Sequence, residues 1–226
     1  MTLYQHELKN AYIGEVWTPW SNTIAYYPFE SNINDASWNN RNLSMYTGSF
    51  TYETLSSWKK VCRLNTSSQC NNLTVPFNRT SYTVSCYVSW NTYDRTYQLV
   101  IFDLVSWSNY RPRAYEWYYS WWWKDIVSGM VSTTANWVTY TQNKWYHIVT
   151  VYNNNNASLY INWEFIVTKT LSDSSTTWTL SVNWINDFRT WYRTGGTISE
   201  LILEKRAWTA TEILNYYNST KSNYWL

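Results

Sequence analysis

The sequence predicts an all-β fold, an antiparallel two-sheet β-sandwich with one short helix toward the C-terminus. Three observations carry this. Apolar and polar residues alternate with period two over several stretches, as in "YTVSCYVS" at 82–89, where Tyr82, Val84, Cys86 and Val88 fall on one side. Asn, Ser and Thr clusters separate such stretches at intervals of roughly 8 to 12 residues, a rhythm of hairpin-linked strands and not of alternating strands and helices. A single segment carries a helix start: the capping box Thr209-Ala-Thr-Glu212, followed in "EILNYYN" by apolar residues at helical spacing.

Along the chain, residues 1–20 differ in character from the remainder and are expected to form a leader or attachment segment, with 21–226 as one domain. One sandwich accounts for that length, since such domains run to about 200 residues and beyond. "MTLYQHELKNAYIGE" lacks the apolar core of a signal peptide, and no apolar run reaches the ~18 residues of a membrane span, so no membrane insertion is expected. Strands are expected at 82–89, "QLVIFDLV" (98–105), "YHIVTVY" (146–152), "SLYIN" (158–162), "FIVTKTL" (165–171) and "ISELILE" (198–204). "NNNN" at 153–156 joins two of them as a loop, and Asn162-Trp163 is the centre of the next hairpin. Alternation predicts a core drawn from Val84, Cys86, Val88, Val149, Val151, Leu159, Ile161, Leu201 and Leu203. The helix begins near Thr209 and ends near Asn218.

Charge names no partner. Lys plus Arg number 17 against 15 Asp plus Glu, a formal charge of +2, which leaves no electrostatic footprint for nucleic acid or an anionic membrane. Three cysteines, Cys62, Cys70 and Cys86, permit one bridge at most; Cys62 and Cys70 are the local pair, and free thiols in strands are the alternative.

The composition is odd in one respect. The chain has 18 Trp and only 5 Gly, where ordinary usage of about 7% Gly would give roughly sixteen. Asn162-Trp163 concentrates the anomaly, because a two-residue hairpin needs positive φ at its centre and Asn-Gly is its strongest signal. A purely structural account requires turns made without glycine and indoles displayed at their tips, a large aggregation risk.

Several stretches resemble one family, the laminin-G-like domains of the concanavalin A-like lectin and glucanase superfamily, in the family's own order. "IAYYPFESNINDASWNNRNLS" (24–44) resembles its opening strand and Asp-x-Ser-Gly-Asn turn, and "YTVSCYVS" its first long inner strand. "NKWYHIVTVYNNNNASLYINWEFI" resembles the Trp-Tyr-His strand with the Tyr-x-Asn-Gly hairpin, and "GGTISELILEKRAWTATEILNYYN" (195–218) the closing strand and short helix. The fold so implied is a jelly roll. Trp163 and Trp38 stand where the family has Gly, whereas Trp145 and Trp208 stand where it has a buried aromatic. This contrast predicts that UGA codons, read as glycine by the source organism, are written here as tryptophan at all but those last two positions. "SWWWKD" (120–125) is then a flexible Gly-rich turn; taken literally, it is an aromatic platform for sugar rings.

The resemblance implies non-catalytic, lectin-like recognition of a glycan or a surface protein by loops or a concave sheet face, in an extracellular, surface or virion-associated setting. A glycoside hydrolase or polysaccharide lyase of the same superfamily is one alternative, and a structural spacer another. The glucanase strand signature Glu-x-Asp-x-x-Glu is missing, and no catalytic residue is assigned. Glu200 and Glu204 in "ELILE" would lie about 13 Å apart on a regular strand, beyond the roughly 5 to 9.5 Å that glycoside hydrolysis needs. His147 is expected to serve packing, and no Cys-His or Ser-His-Asp set emerges. Calcium is the one ion the resemblance implies, a hard cation for carboxylate and carbonyl ligands, with Asp35 the first candidate ligand and Glu200 the second; an Asp bonded to its own turn is the alternative.

Overall fold

The computed structural model describes residues 21–64, 69–76, 81–90, 99–105, 113–119, 123–128, 141, 143–170, 177–182 and 196–226. The expected leader (1–20) and the first half of the "SWWWKD" segment (120–122) lie outside the described residues, as does the side chain of Cys70 and with it the Cys62–Cys70 pairing.

The described strands are β1 (Thr23–Tyr27), β2 (Ser44–Thr47), β3 (Thr51–Thr54), β4 (Lys60–Leu64), β5 (Gln69–Pro76), β6 (Ser81–Trp90), β7 (Leu99–Val105), β8 (Arg113–Tyr119), β9 (Trp123–Ser128), β10 (Trp145–Asn153), β11 (Asn156–Ile161), β12 (Glu164–Thr170), β13 (Thr177–Val182) and β14 (Gly196–Glu204). They form two antiparallel sheets. One runs β12-β11-β10-β6-β14-β4-β3, with β1 also on β14; the other runs β2-β5-β13-β7-β8-β9. Each strand expected from the sequence is present within about two residues of its predicted ends. The architecture is the antiparallel two-sheet β-sandwich that the sequence predicts, with one short helix near the C-terminus.

All nine residues of the expected core are buried, but not on one face. Val84, Cys86, Val88, Leu159, Ile161, Leu201 and Leu203 join Tyr27, Phe29 and Tyr82 in one cluster. Val149 and Val151 point the other way, into a second cluster with Trp145, Trp208, Ile213 and Tyr216. The central strands are therefore covered on both sides, and β14 is buried at all nine of its positions.

The second cluster owes its existence to the C-terminal segment. Thr209 is the N-cap of α1 (Ala210–Thr220); its side chain accepts from the Glu212 N–H while the Glu212 carboxylate accepts from the Thr209 N–H, the reciprocal pairing that the sequence predicts. The helix runs two residues past Asn218 and passes into a 3-10 turn, Lys221–Tyr224, which carries Tyr224 onto the sheet. There the Tyr224 ring stacks on Tyr87 at 3.9 Å between centroids.

Strand β14 changes partner along its length. Its first half pairs with β4 (Ile198 opposite Cys62) and its second with β1 (Leu201 opposite Tyr27). A bulge between Ser199 and Ile202 marks the switch, with Glu200 at φ 51 and its N–H directed at the Pro28 carbonyl. The extra residue turns Glu200 out of the sandwich interior and under α1.

The turns have left-handed residues where hairpins need them. Asn154 and Asn155, φ 49 and 64, join β10 to β11. Asn162 and Trp163, φ 50 and 71, join β11 to β12.

Candidate functional site

The residues with chemistry fall in three groups. The first is the loop after β1, whose "DASWNN" sequence folds because Asp35, Ser37 and Asn39 each close part of it. Asp35 Oδ1 accepts the N–H of Tyr26 (2.9 Å) and of Ser37 (2.8 Å), and Oδ2 accepts the Ser37 hydroxyl (2.7 Å) and the Arg41 N–H (2.9 Å). Asn39 donates to the carbonyls of Thr23 (2.8 Å) and Ile24 (3.1 Å), fastening the loop to β1. The carboxylate thus works as a turn-closing acceptor.

The second group sits at the β14 switch. Glu200 Oε1 accepts from Lys59 Nζ at 2.6 Å and Oε2 from the Tyr216 hydroxyl at 2.6 Å, and Lys59 also reaches Glu30 at 3.0 Å. Lys59 precedes β4 and Glu30 follows β1, so one ammonium ties together the two strands that share the edge of β14. Glu200 and Lys59 are both buried, where an ion pair needs further hydrogen bonds to be tolerated; Tyr216 supplies one. Burial and then the neighbouring Glu200 charge hold the Tyr216 hydroxyl well above the usual phenol range.

The third group lies beside it beneath α1. Glu204 Oε2 accepts from the Trp208 indole N–H (2.6 Å) and from Arg206 Nε (2.9 Å), and Oε1 accepts from Thr23 (3.4 Å). Burial pushes its carboxyl up, with the Trp208 hydrogen bond and Arg206 opposing. His147 stacks on Tyr87 at 4.6 Å and has Nε2 2.8 Å from the Ser85 hydroxyl. Burial lowers its pKa to about 3, so the ring is neutral, the packing role expected of it.

The structure does not bring Asp35 and Glu200 together as ligands. Among the described residues no three His, Cys, Asp or Glu side chains form a group that could hold a metal ion. A calcium ion takes six to eight oxygens; the two oxygens of Asp35 already accept four protein donors, and those of Glu200 accept one each, from Lys59 and Tyr216. Glu200 and Glu204 are likewise buried under the helix and engaged, and neither reaches a surface where a glycosidic bond could lie. The partners of Glu200 and His147, namely Lys59, Tyr216 and Ser85, are not legible in the sequence: Lys59 is 141 residues from Glu200 and Ser85 is 62 from His147.

Comparison with known proteins bears on the family and the fold. The Laminin_G_3 family model, described as the concanavalin A-like lectin/glucanases superfamily, matches residues 63–214, more than half of the chain. No curated protein matches significantly in sequence. Domain 4 of AbnA, a GH43 extracellular arabinanase from Geobacillus stearothermophilus in complex with arabinotriose, superposes with a TM-score of 0.65 at 18% identity, covering 86% of this chain and 97% of that one. The binding domain of botulinum neurotoxin serotype G gives 0.62 at 15% identity over 89% of this chain and 52% of that one. A structure of botulinum neurotoxin type C, whose cell entry depends on interaction with two ganglioside molecules, gives 0.57 at 15% identity over 88% and 51%. The chain spans about half the length of these toxin domains, and at such identities the likeness is one of fold.

Proposed function

The chain belongs to the concanavalin A-like lectin/glucanase superfamily, and we propose that within it the protein is a recognition module that binds a glycan without cleaving it. The observation that carries this reading is the cover on the eight-stranded sheet. Helix α1 and the 3-10 turn occupy its outer face and enclose Glu200, Glu204 and His147, the residues from which a catalytic centre could have been assembled there. The reading gives the ligand the loops at the ends of the sandwich or the other sheet, since a rigid framework with loops at its rim suits binding. Structural relatives solved with arabinotriose or described as engaging gangliosides support a carbohydrate as the ligand class. In this reading the domain is displayed outside a cell or on a virion, where such glycans are met.

Calorimetry of the purified chain against arabino-oligosaccharides and against ganglioside headgroup oligosaccharides tests it. Saturable binding to either, with no reducing sugar released on prolonged incubation, is expected. Sugar release would place the protein with the hydrolases of the superfamily. Binding to neither class, with capture of a purified surface protein instead, would replace the glycan by a protein ligand.

A further inference from the structure

Six tryptophan side chains fall among the described residues, and they divide without overlap. Trp145 and Trp208 are each 4% exposed and packed in the cluster under α1, whereas Trp38, Trp58, Trp163 and Trp225 are 70, 87, 43 and 58% exposed. Backbone geometry divides them in the same way. Ten described non-glycine residues have φ in the left-handed region. Five are Asn, which tolerates it. Phe29 is locked in the core, and Glu200 is held by its ion pair and bulge. The remaining three are Trp58, Trp163 and Trp225, at φ 67, 71 and 56. For so bulky a side chain this is a conformational outlier, and all three side chains are exposed.

Each of the three occupies a motif position that glycine fills for a physical reason. Trp163 is the second residue of a two-residue hairpin with both φ values positive, the Asn-Gly turn. Trp58 ends the loop Ser56–Trp58 between β3 and β4: its N–H donates to the Leu55 carbonyl at 2.9 Å, and the Leu55 N–H donates to the Lys59 carbonyl at 2.8 Å. In a three-residue loop of that kind the left-handed residue after the turn is glycine. Trp225 follows the 3-10 turn with its own N–H and that of Leu226 both directed at the Lys221 carbonyl. That is the left-handed helix terminator, again a glycine position, with Leu226 packed against the apolar cluster beyond it. Trp38 differs in lacking a left-handed φ. It lies between Ser37 and Asn39 in a loop whose polar side chains bond inward while its own indole faces water.

We infer that the native chain carries glycine at positions 38, 58, 163 and 225 and tryptophan at 145 and 208, the four turn positions being encoded by UGA triplets that the source organism reads as glycine. This stands independently of the recognition reading, and it changes the surface available for recognition. Once the four indoles are removed, Met45 and Phe165 are the large exposed apolar side chains left among the described residues. A glycan would then meet polar loop groups there, without an indole platform to stack on.

Peptide mass spectrometry of the protein isolated from its source tests the inference directly. Glycine residue masses are expected at 58, 163 and 225 and tryptophan masses at 145 and 208; tryptophan at the first three would overturn it. In a host that reads the sequence literally, the triple variant Trp58→Gly, Trp163→Gly, Trp225→Gly is expected to melt higher than the literal chain. The rise should be about 2–4 °C for each turn relieved of roughly 1 kcal/mol of strain. A Tm at or below that of the literal chain would count against it. Trp163→Gly alone gives the same reading if the literal chain and the triple variant differ too much in yield to compare.

Discussion

The hairpins on either side of β11 have the same backbone and different residues. One turns through Asn154-Asn155 and the other through Asn162-Trp163, and all four φ values lie between 49 and 71. The first pair is a sound chemical answer to that demand, since Asn enters the left-handed region at low cost. The second is half of one. Its Asn162 is well used: the side chain accepts the His147 N–H at 2.9 Å and the backbone N–H donates to the His147 carbonyl at 2.8 Å. Trp163 next to it contributes an exposed indole on a strained backbone. The backbone therefore did not select the tryptophan, whereas under α1 the packing plainly selects Trp145 and Trp208.

The largest expected effect lies on the packed side of this contrast. Trp208→Gly removes a buried indole together with the N–H that Glu204 accepts, and should cost about 3–5 kcal/mol or more in denaturant unfolding. A loss under about 1 kcal/mol would show that Trp208 is no better placed than the turn tryptophans. Next is the acid limb. His147 has a folded value near 3 against 6.5 when free, so between these values the unfolded chain binds more protons. Stability is then complete above pH 6.5 and falls as pH drops toward 3, at up to about 1.4 kcal/mol per pH unit. Glu204, with its folded value raised, acts in the opposite sense: its contribution is present below about 4.5 and is lost as pH rises. The difference between the parent and His147→Gln profiles isolates the histidine, and parallel profiles would contradict its burial as a neutral ring.

Smaller effects compare the two hairpins themselves. Asn162→Ala should cost about 1 kcal/mol, one anchoring hydrogen bond, while Asn154→Ala, whose side chain makes no such cross-strand bond among those observed, should cost less. Equal losses would mean that the anchor to His147 is idle. The smallest is Asn155→Gly, with a gain of a few tenths of a kcal/mol against about 1 kcal/mol for Trp163→Gly. A gain at 155 as large as that at 163 would show that tryptophan is no worse than asparagine in this turn.

Much of this is legible in the sequence because it is local. The capping box at Thr209, the alternation in β6 and β10 and the turn signal at Asn162 each involve residues a few positions apart. The contrast between Trp38 and Trp163 on one side and Trp145 and Trp208 on the other rests on a mismatch between a turn and its residue. Trp58 and Trp225 carry no such signal, since neither "SSWKK" nor "NYWL" contains a turn motif with a vacant glycine place until the loop bonds reveal a left-handed position. Glu200 escapes sequence reasoning for another cause: regular alternation takes no account of a bulge, so its partners Lys59 and Tyr216 and its place under α1 appear only when β14 is seen to change neighbours. The calcium expectation at Asp35 arises from the family resemblance, whereas the four donors on its carboxylate, from Tyr26, Ser37 (backbone and hydroxyl) and Arg41, appear only once the loop is folded against β1.

The codons at six positions test the central claim most directly. Sequencing the gene is expected to give UGA at 38, 58, 163 and 225 and UGG at 145 and 208, in step with the division between strained, exposed turns and packed interior. UGG at 58, 163 and 225 would contradict the account and leave three tryptophans in left-handed turns as genuine features of the protein.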